Sequence, residues 1–314
     1  MQPLTRRAAL GLLTVVLGAG GLFFALRQRG AKIAQTLYAQ PLPMPEGALR
    51  VFHLGHSLVG RDMPAMVAQL AGAGHHYDSQ LGWGTSLMQH WEPDQPINGF
   101  DVENNHPRFR AAKEALGTGE YDALVLTEMV EIADAVRYHD SAAYLARWAG
   151  LARDASPQTR IYLYETWHHT DDAAGWLTRI DDDLRGYWQE GITYPALAES
   201  GAAIHLIPAG QVMAAFVRAA AAQGGLDGLD GANALMARNE DGTVDTIHLN
   251  DLGAYLVALT HYAVLYHKTP VGLPFALNRA DGTPADAPSP AVAALMQRTV
   301  WEVVRRHPET GVAA

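Results

Sequence analysis

Residues 49–58 read LRVFHLGHSL, a short β-rich run followed directly by a turn that carries a serine. The run covers Leu49–Leu54 and ends at Gly55, and an amphipathic stretch typical of a helix follows over Asp62–Ala73. Strand-like and helix-like patterns continue to alternate along the chain. Short apolar strands that alternate with helices predict a parallel sheet that is covered by helices on both faces.

Four more strand-like runs bring the predicted sheet to five strands. They lie at Tyr77–Leu81, Ala123–Thr127, Ile161–Glu165 and Ala203–Ile207. Helical patterns lie at Arg108–Leu116, Ser141–Ala155, Trp176–Trp188, Gln211–Ala222 and Ala291–Arg306, and residues 224–242 are interpreted as a long loop. The predicted fold is therefore an α/β, three-layer αβα sandwich. Right-handed crossovers place the carboxyl ends of its strands at one edge, where ligands of such sheets bind.

Composition excludes several classes of protein. The chain has 314 residues, of which 48% are hydrophobic and 18% charged, so it can form a large core and is not intrinsically disordered. A net charge of −10 argues against nucleic acid as a partner, because that partner requires a basic face. The absence of cysteine excludes disulfides, zinc–thiolate sites, iron–sulfur clusters and cysteine nucleophiles.

An uncharged apolar segment, Ala8–Leu26, follows a pair of arginines. Its 19 residues are close to the roughly 20 that cross a bilayer as a helix, and Thr5-Arg6-Arg7 resembles a twin-arginine export signal. We expect an N-terminal membrane helix, either an uncleaved anchor or an export signal, with the body in the periplasm or another extracytoplasmic space; a buried helix is the alternative. We expect the chain from residue 41 onward to fold without this segment. The predicted division is 1–34 signal or anchor, 35–47 proline-containing linker and 48–310 α/β body.

Two short motifs near opposite ends of the body carry candidate chemistry. Ser57 stands at a strand-to-helix turn on the ligand edge, where backbone N–H groups point outward. Asp245 and His248 precede an apolar helix, and a histidine three residues after an aspartate can accept a serine proton while the aspartate fixes its tautomer. Either motif alone is also typical of an ordinary turn or helix cap.

Together, Gly55-His56-Ser57 and Asp245-x-x-His248 resemble the SGNH hydrolase family, the GDSL-type esterases and lipases. The resemblance covers residues 48–268 and implies the flavodoxin-like SGNH fold. It implies that Ser57 is the nucleophile, that His248 is the general base and that Asp245 orients His248, with no metal or organic cofactor. His56 stands where the family usually has an acidic residue or asparagine.

The same resemblance predicts an oxyanion hole. Its backbone donors would be the N–H groups of Ser57 and Gly84, with Gly82 as the near alternative to Gly84. The family's asparagine after the third strand is absent, and Thr127-Glu128 stands there instead. A carboxylate donates to an oxyanion only when it is protonated, which burial of Glu128 would favour; the alternatives are that Glu128 binds substrate or orients another residue.

Glu128, Trp91 and Trp167 are the candidate substrate-binding residues. The two indole rings are suited to stack on a sugar or to line an acyl pocket, although buried aromatic residues are also typical of a core. The polar run 168–172 is interpreted as a solvated loop rather than a metal site. The predicted function is cleavage of O-acyl esters, with O-acetyl groups on a small molecule or carbohydrate as the substrate class. An O-acyltransferase with the same triad and a membrane-anchored binding module without activity are the alternatives.

Overall fold

A five-stranded parallel sheet forms the centre of the protein. The computed structural model describes residues 6–229 and 231–314, with side chains described from residue 20 onward. The strands are β1 (Arg50–His56), β2 (His76–Gly82), β3 (Ala123–Leu126), β4 (Arg160–Glu165) and β5 (Ile204–Pro208). All pairs are parallel, in the order β2-β1-β3-β4-β5. The predicted α/β fold with five parallel strands is confirmed, and each predicted strand is displaced by at most two residues.

The central strands β1, β3 and β4 are buried on both faces, which explains their largely apolar character. In β1, Val51 joins one hydrophobic cluster, whereas Phe52 and Leu54 join the other. Successive strand side chains point to opposite faces, so both clusters receive residues from every central strand. The result is a three-layer arrangement with a core on each side of the sheet.

Helices cover both faces. Those that pack mainly with the Val51 cluster are α2 (Asp62–Ala71), α10 (Ala209–Ala222), α11 (Asp251–Tyr266) and α12 (Pro290–Arg306). Those that contribute to the Phe52 cluster are α1 (Arg6–Leu37), α3 (Leu87–Trp91), α5 (Ala112–Gly117), α6 (Ile132–Tyr138), α7 (Ser141–Ala155) and α9 (Tyr194–Ser200). Two further helices are α4 (Phe100–Glu103) and α8 (Trp176–Asp183). A π-helical stretch, Leu184–Thr193, joins α8 to α9, and short 3₁₀ turns cover Ala232–Leu235 and Pro308–Thr310.

The interpretation of residues 224–242 as one long loop is wrong. This stretch contains the 3₁₀ turn Ala232–Leu235 and the strand β6 (Met236–Arg238), which pairs antiparallel with β7 (Val244–Leu249). The hairpin escapes prediction because β6 has only three residues and one of them is buried, so no apolar run marks it. Asp245 and His248 therefore lie on a strand of a hairpin that precedes α11.

The N-terminal helix α1 reaches Leu37, three residues into the predicted linker 35–47. Ala34 is buried, and the Tyr38 hydroxyl donates to the Ile204 carbonyl at 2.7 Å. Leu42 N–H donates to the Gly311 carbonyl at 2.8 Å. The region predicted as a free linker thus packs on the body, while the division into 1–34, 35–47 and 48–310 stays a prediction.

Within the part of the chain that the structure describes, no helix has the length and apolar composition needed to cross a membrane. The predicted membrane helix is Ala8–Leu26. The side chains of its residues 8–19 lie outside the part of the chain whose side chains the structure describes.

Candidate active site

The predicted nucleophile lies one residue beyond β1, at the carboxyl edge of the sheet. Its side-chain oxygen Oγ is 3.0 Å from Nε2 of His248, although 191 residues separate the two in sequence. This distance is within the range in which a general base can take a proton. The fold therefore brings Ser57 of the β1 turn and His248 of the β7 strand together.

Asp245 holds the other side of the histidine ring. Its Oδ2 atom is 2.8 Å from Nδ1 of His248, and its Oδ1 atom accepts the backbone N–H groups of Ile247 at 2.9 Å and His248 at 3.0 Å. Partial burial acts to raise the pKa of Asp245, but the two backbone hydrogen bonds and the contact with the His248 ring outweigh it and lower that pKa. An ionised Asp245 directs the ring proton to Nδ1, which leaves Nε2 free to accept from Ser57.

The loop after β4 fixes the position of β7. The Trp167 indole N–H donates to the Ile247 carbonyl at 2.8 Å, and the Thr170 N–H donates to the Thr246 carbonyl at 2.8 Å. Trp167 is buried, so its hydrogen bond is shielded from water. These bonds hold the strand that carries Asp245 and His248 against the edge of the parallel sheet.

Two buried histidines support the nucleophile turn. Nε2–H of His56 donates to the Glu128 carbonyl at 2.8 Å, and its Nδ1 accepts the N–H of Leu58 at 3.3 Å. Nε2–H of His90 donates to the Gly55 carbonyl at 2.8 Å. Burial lowers the pKa of both rings to about 4. The hydrogen bonds to the two carbonyls act in the opposite direction but do not outweigh burial. Both imidazoles are therefore neutral at physiological pH, with fixed tautomers that anchor residues 55–58.

A cleft of about 480 Å³ opens beside the serine. Gly84 lines it together with Ser57 and His248, and Gly84 has a left-handed backbone (φ +55°) that favours glycine. Within residues 6–229 and 231–314, the N–H groups of Ser57 and Gly84 donate to no other protein atom. Gly82, the alternative to Gly84, ends β2 and does not line the cleft.

None of the three predicted substrate-binding residues lines this cleft, and their role in binding stays a prediction. Glu128 is fully buried, and its Oε1 atom accepts the N–H groups of Met129 at 2.8 Å and Leu87 at 3.3 Å. Trp167 is buried and holds β7, as described above. Trp91 packs edge-on against the buried ring of Trp148. Packing between layers, which no local pattern records, buries Glu128 and Trp167 and covers part of Trp91.

Sequence reasoning missed Trp83 and Glu103 as cleft residues, and also His169, Val130 and Ile247. Trp83 stands between the two glycines of the predicted oxyanion segment, so its place beside the site could have been inferred from Gly84. Glu103 is 19 residues beyond Gly84 and carries no such signal. His169 lies four residues beyond the end of β4 and contacts the Thr246 hydroxyl through Nδ1 at 2.8 Å.

The polar run 168–172 belongs to an ion-pair network. Arg179 donates to Asp172 at 2.7 Å, to Asp183 at 2.9 Å and to Glu131 at 2.8 Å. His168 lies 3.2 Å from the same Asp183 carboxylate. Among the described residues, no group of three or more histidine, aspartate and glutamate side chains is arranged to hold a metal ion.

No family model matches the sequence, and no curated protein matches it either. Two solved structures are similar to it. The first was assigned as a GDSL-like lipase from Parabacteroides merdae; it has 16% sequence identity and a TM-score of 0.42, and the match covers 71% of this chain and 99% of that one. The second is a carbohydrate esterase family 2 enzyme with a carbohydrate-binding domain from Corynascus thermopiles (Myceliophthora fergusii). It has 11% identity and a TM-score of 0.30, and the match covers 53% of this chain and 57% of that one.

Proposed function

We propose that the protein is a serine hydrolase of the SGNH type that cleaves O-acyl esters. The observation that carries this proposal is the hydrogen-bonded series Ser57, His248 and Asp245, with contacts of 3.0 and 2.8 Å. A hydroxyl bonded to an imidazole that is itself oriented by a carboxylate is the arrangement that activates serine for attack on a carbonyl.

In the first half of the reaction, His248 Nε2 takes the proton of Ser57 while Oγ attacks the ester carbonyl. The negative charge that develops on the carbonyl oxygen is stabilised by the free N–H groups of Ser57 and Gly84. The tetrahedral intermediate then collapses, the bond to the alcohol oxygen breaks, and His248 gives its proton to the leaving alcohol. An acyl ester of Ser57 remains.

In the second half, His248 takes a proton from water, whose oxygen attacks the acyl ester; the bond to Ser57 Oγ then breaks, His248 returns the proton to Oγ, and the carboxylic acid leaves. The His248 side chain is 46% exposed, so water can reach the acyl ester. This exposure favours hydrolysis over transfer to a second alcohol, because a transferase must keep water out. The hydrogen-bonded series Ser57, His248 and Asp245 favours an enzyme over a binding module without activity.

The proposal is tested by assaying a panel of acyl esters with the wild type and with Ser57→Ala, His248→Ala and Asp245→Asn. We expect wild-type hydrolysis of at least one ester, and a loss of at least about 10³-fold in kcat for each variant. Comparison of each variant's far-ultraviolet circular dichroism spectrum with that of the wild type shows whether the variant is folded. Hydrolysis by folded Ser57→Ala at the wild-type rate would contradict the proposal.

We also propose that the body is held at a membrane or exported, outside the cytoplasm. The sequence of Ala8–Leu26 after Arg6-Arg7 supports this, and so do the exposed side chains of Leu22, Phe23 and Phe24 at 63%, 40% and 56%. Fractionation of cells that produce the full chain should place it in the membrane or outside the cytoplasm. Recovery in the cytoplasmic fraction alone would refute this location.

A further inference from the structure

An exposed indole stands at the edge of the cleft, next to the predicted oxyanion donor. Trp83 is 51% exposed and lines the cleft together with its neighbour Gly84. A large aromatic side chain that remains exposed beside a binding cleft is a common feature of ligand recognition. Trp167 is buried and Trp91 packs against Trp148, so among the described tryptophans Trp83 is the one that lines this cleft.

The indole is held in one orientation. Its Nε1–H donates to Oε1 of Glu103 at 2.7 Å, and the Trp83 backbone N–H donates to the Asn98 carbonyl at 2.7 Å. Beneath the ring lies Gly99 with φ +68°, where an added Cβ would come within 2.2 Å of the indole Cδ2 atom. Glycine at position 99 therefore lets the indole approach the backbone closely, while about half of the Trp83 surface stays exposed.

The segment beneath the ring is also secured. Arg61 donates through Nε to the Glu103 carbonyl at 3.2 Å and through its terminal nitrogen to the Val102 carbonyl. The Asn104 side chain accepts the N–H of Leu81 at 2.9 Å and donates to the carbonyl of the same residue at 2.8 Å. A ring fixed before the ligand arrives costs little conformational entropy on binding.

The chemistry at the edge of the ring identifies the kind of ligand. Glu103 lines the cleft with a carboxylate that can accept hydroxyl groups, and it is the only carboxylate, lysine or arginine among the described lining residues. A flat apolar face beside a hydroxyl acceptor suits the C–H face and hydroxyls of a sugar ring. A carboxylate in this place disfavours both an anionic sugar and a long acyl chain.

We propose that Trp83 and Glu103 form a subsite for a neutral sugar ring, which is the alcohol part of the ester. This inference rests on the proposed hydrolysis at Ser57 and extends it. The sugar lies against the exposed part of the Trp83 ring and hydrogen-bonds to Glu103. In this position its acyl group lies next to Ser57. Trp83 and Glu103 thereby determine specificity for the alcohol and take no part in the proton transfers.

The test compares three esters by titrating the acid released: an acetylated methyl β-D-glucopyranoside, ethyl acetate and ethyl octanoate. Trp83→Leu should lower kcat/KM for the sugar ester about tenfold more than for ethyl acetate, mainly through KM. Glu103→Gln retains an acceptor for the indole and should lower the preference for the neutral sugar over an acetylated methyl glucuronide. Tyr138→Leu changes an aromatic residue that is 62% exposed and outside the cleft lining, and should leave the rates unchanged.

If Trp83→Leu lowers kcat/KM equally for ethyl acetate and for the sugar ester, the proposed subsite is wrong. A greater loss on ethyl octanoate would also overturn it, because the indole would then hold the acyl chain. A second measurement does not depend on hydrolysis: saturation-transfer NMR of methyl β-D-glucopyranoside with Ser57→Ala, with and without Trp83→Leu. Transfer that disappears with Trp83→Leu supports the subsite even if no ester is cleaved, whereas absent or unchanged transfer refutes it.

Discussion

Replacing Glu128 with glutamine should remove a pH dependence of stability that this buried carboxyl causes. Burial raises the pKa of Glu128 from its ordinary 4.5 to about 7, although hydrogen bonds from Met129 and Leu87 and the nearby Ser141 hydroxyl oppose the shift. Among the described residues, Oε2 of Glu128 has no hydrogen-bond partner and the Ser141 hydroxyl lies only nearby, so the second oxygen is poorly compensated when the group ionises.

The sign follows from proton binding. Between about pH 5 and pH 7 the folded protein keeps a proton on Glu128 that the unfolded chain has released, so raising the pH through this window lowers stability. A pKa difference of about 2.5 units corresponds to about 3 kcal/mol in the free energy of unfolding. Glutamine has nearly the same shape, accepts the same backbone N–H groups and cannot ionise. Its own N–H₂ can donate to Ser141.

Urea unfolding followed by circular dichroism at about pH 5 and about pH 8 measures the effect. Between these two conditions the wild type should lose about 2–3 kcal/mol more stability than Glu128→Gln. The difference between the two proteins isolates Glu128, because the other titrating groups are common to both. Glu114→Gln, at an exposed position on α5, is the matched control and should follow the wild type. Parallel pH dependences of wild type and Glu128→Gln would refute the reasoning.

Two further predictions concern the support of β7 and the role of the N-terminal helix. Trp167→Phe removes the donor to the Ile247 carbonyl; it should lower stability by about 1–3 kcal/mol and lower kcat for the best ester with little change in KM. An unchanged kcat would mean that this bond does not position the β7 strand. A chain that starts at residue 41 loses the buried Ala34 and the hydroxyl bond of Tyr38, so it should unfold at lower urea than a chain that starts at residue 20. Equal midpoints would show that α1 adds nothing to the stability of the body.

The sheet was predictable because its strands are short apolar runs that end in recognisable turns. Helices cover both faces of the sheet, so most strand residues must be apolar. This is why apolar runs appear in the sequence at Ile161–Glu165 and Ala203–Ile207. The hairpin β6–β7 was not predictable in the same way. Its pairing is short and its residues are largely half-exposed, so neither an apolar run nor strict alternation appears.

Ser57, Asp245 and His248 could be selected from their two motifs, but the residues that line the cleft could not. Ser57 follows β1 at the carboxyl edge of the sheet, whereas the β6–β7 hairpin and the loop after β4 bring Asp245 and His248 to that edge. Whether an aromatic ring faces the solvent depends on packing between distant segments, which is why Trp83 was overlooked as a cleft residue. Glu128 follows β3 as expected, yet its side chain turns toward Leu87 at the start of α3 and away from the cleft.

Labelling with a fluorophosphonate tests most directly whether Ser57 is an activated nucleophile. The reagent forms a phosphonyl ester with a serine hydroxyl that a neighbouring base has activated, and peptide mass spectrometry identifies the modified residue. We expect one adduct on the wild type, at Ser57, with no adduct on Ser57→Ala and slow labelling of His248→Ala. A folded wild-type protein that remains unlabelled, or one labelled at another serine, would contradict the assignment of Ser57, His248 and Asp245 as a catalytic triad.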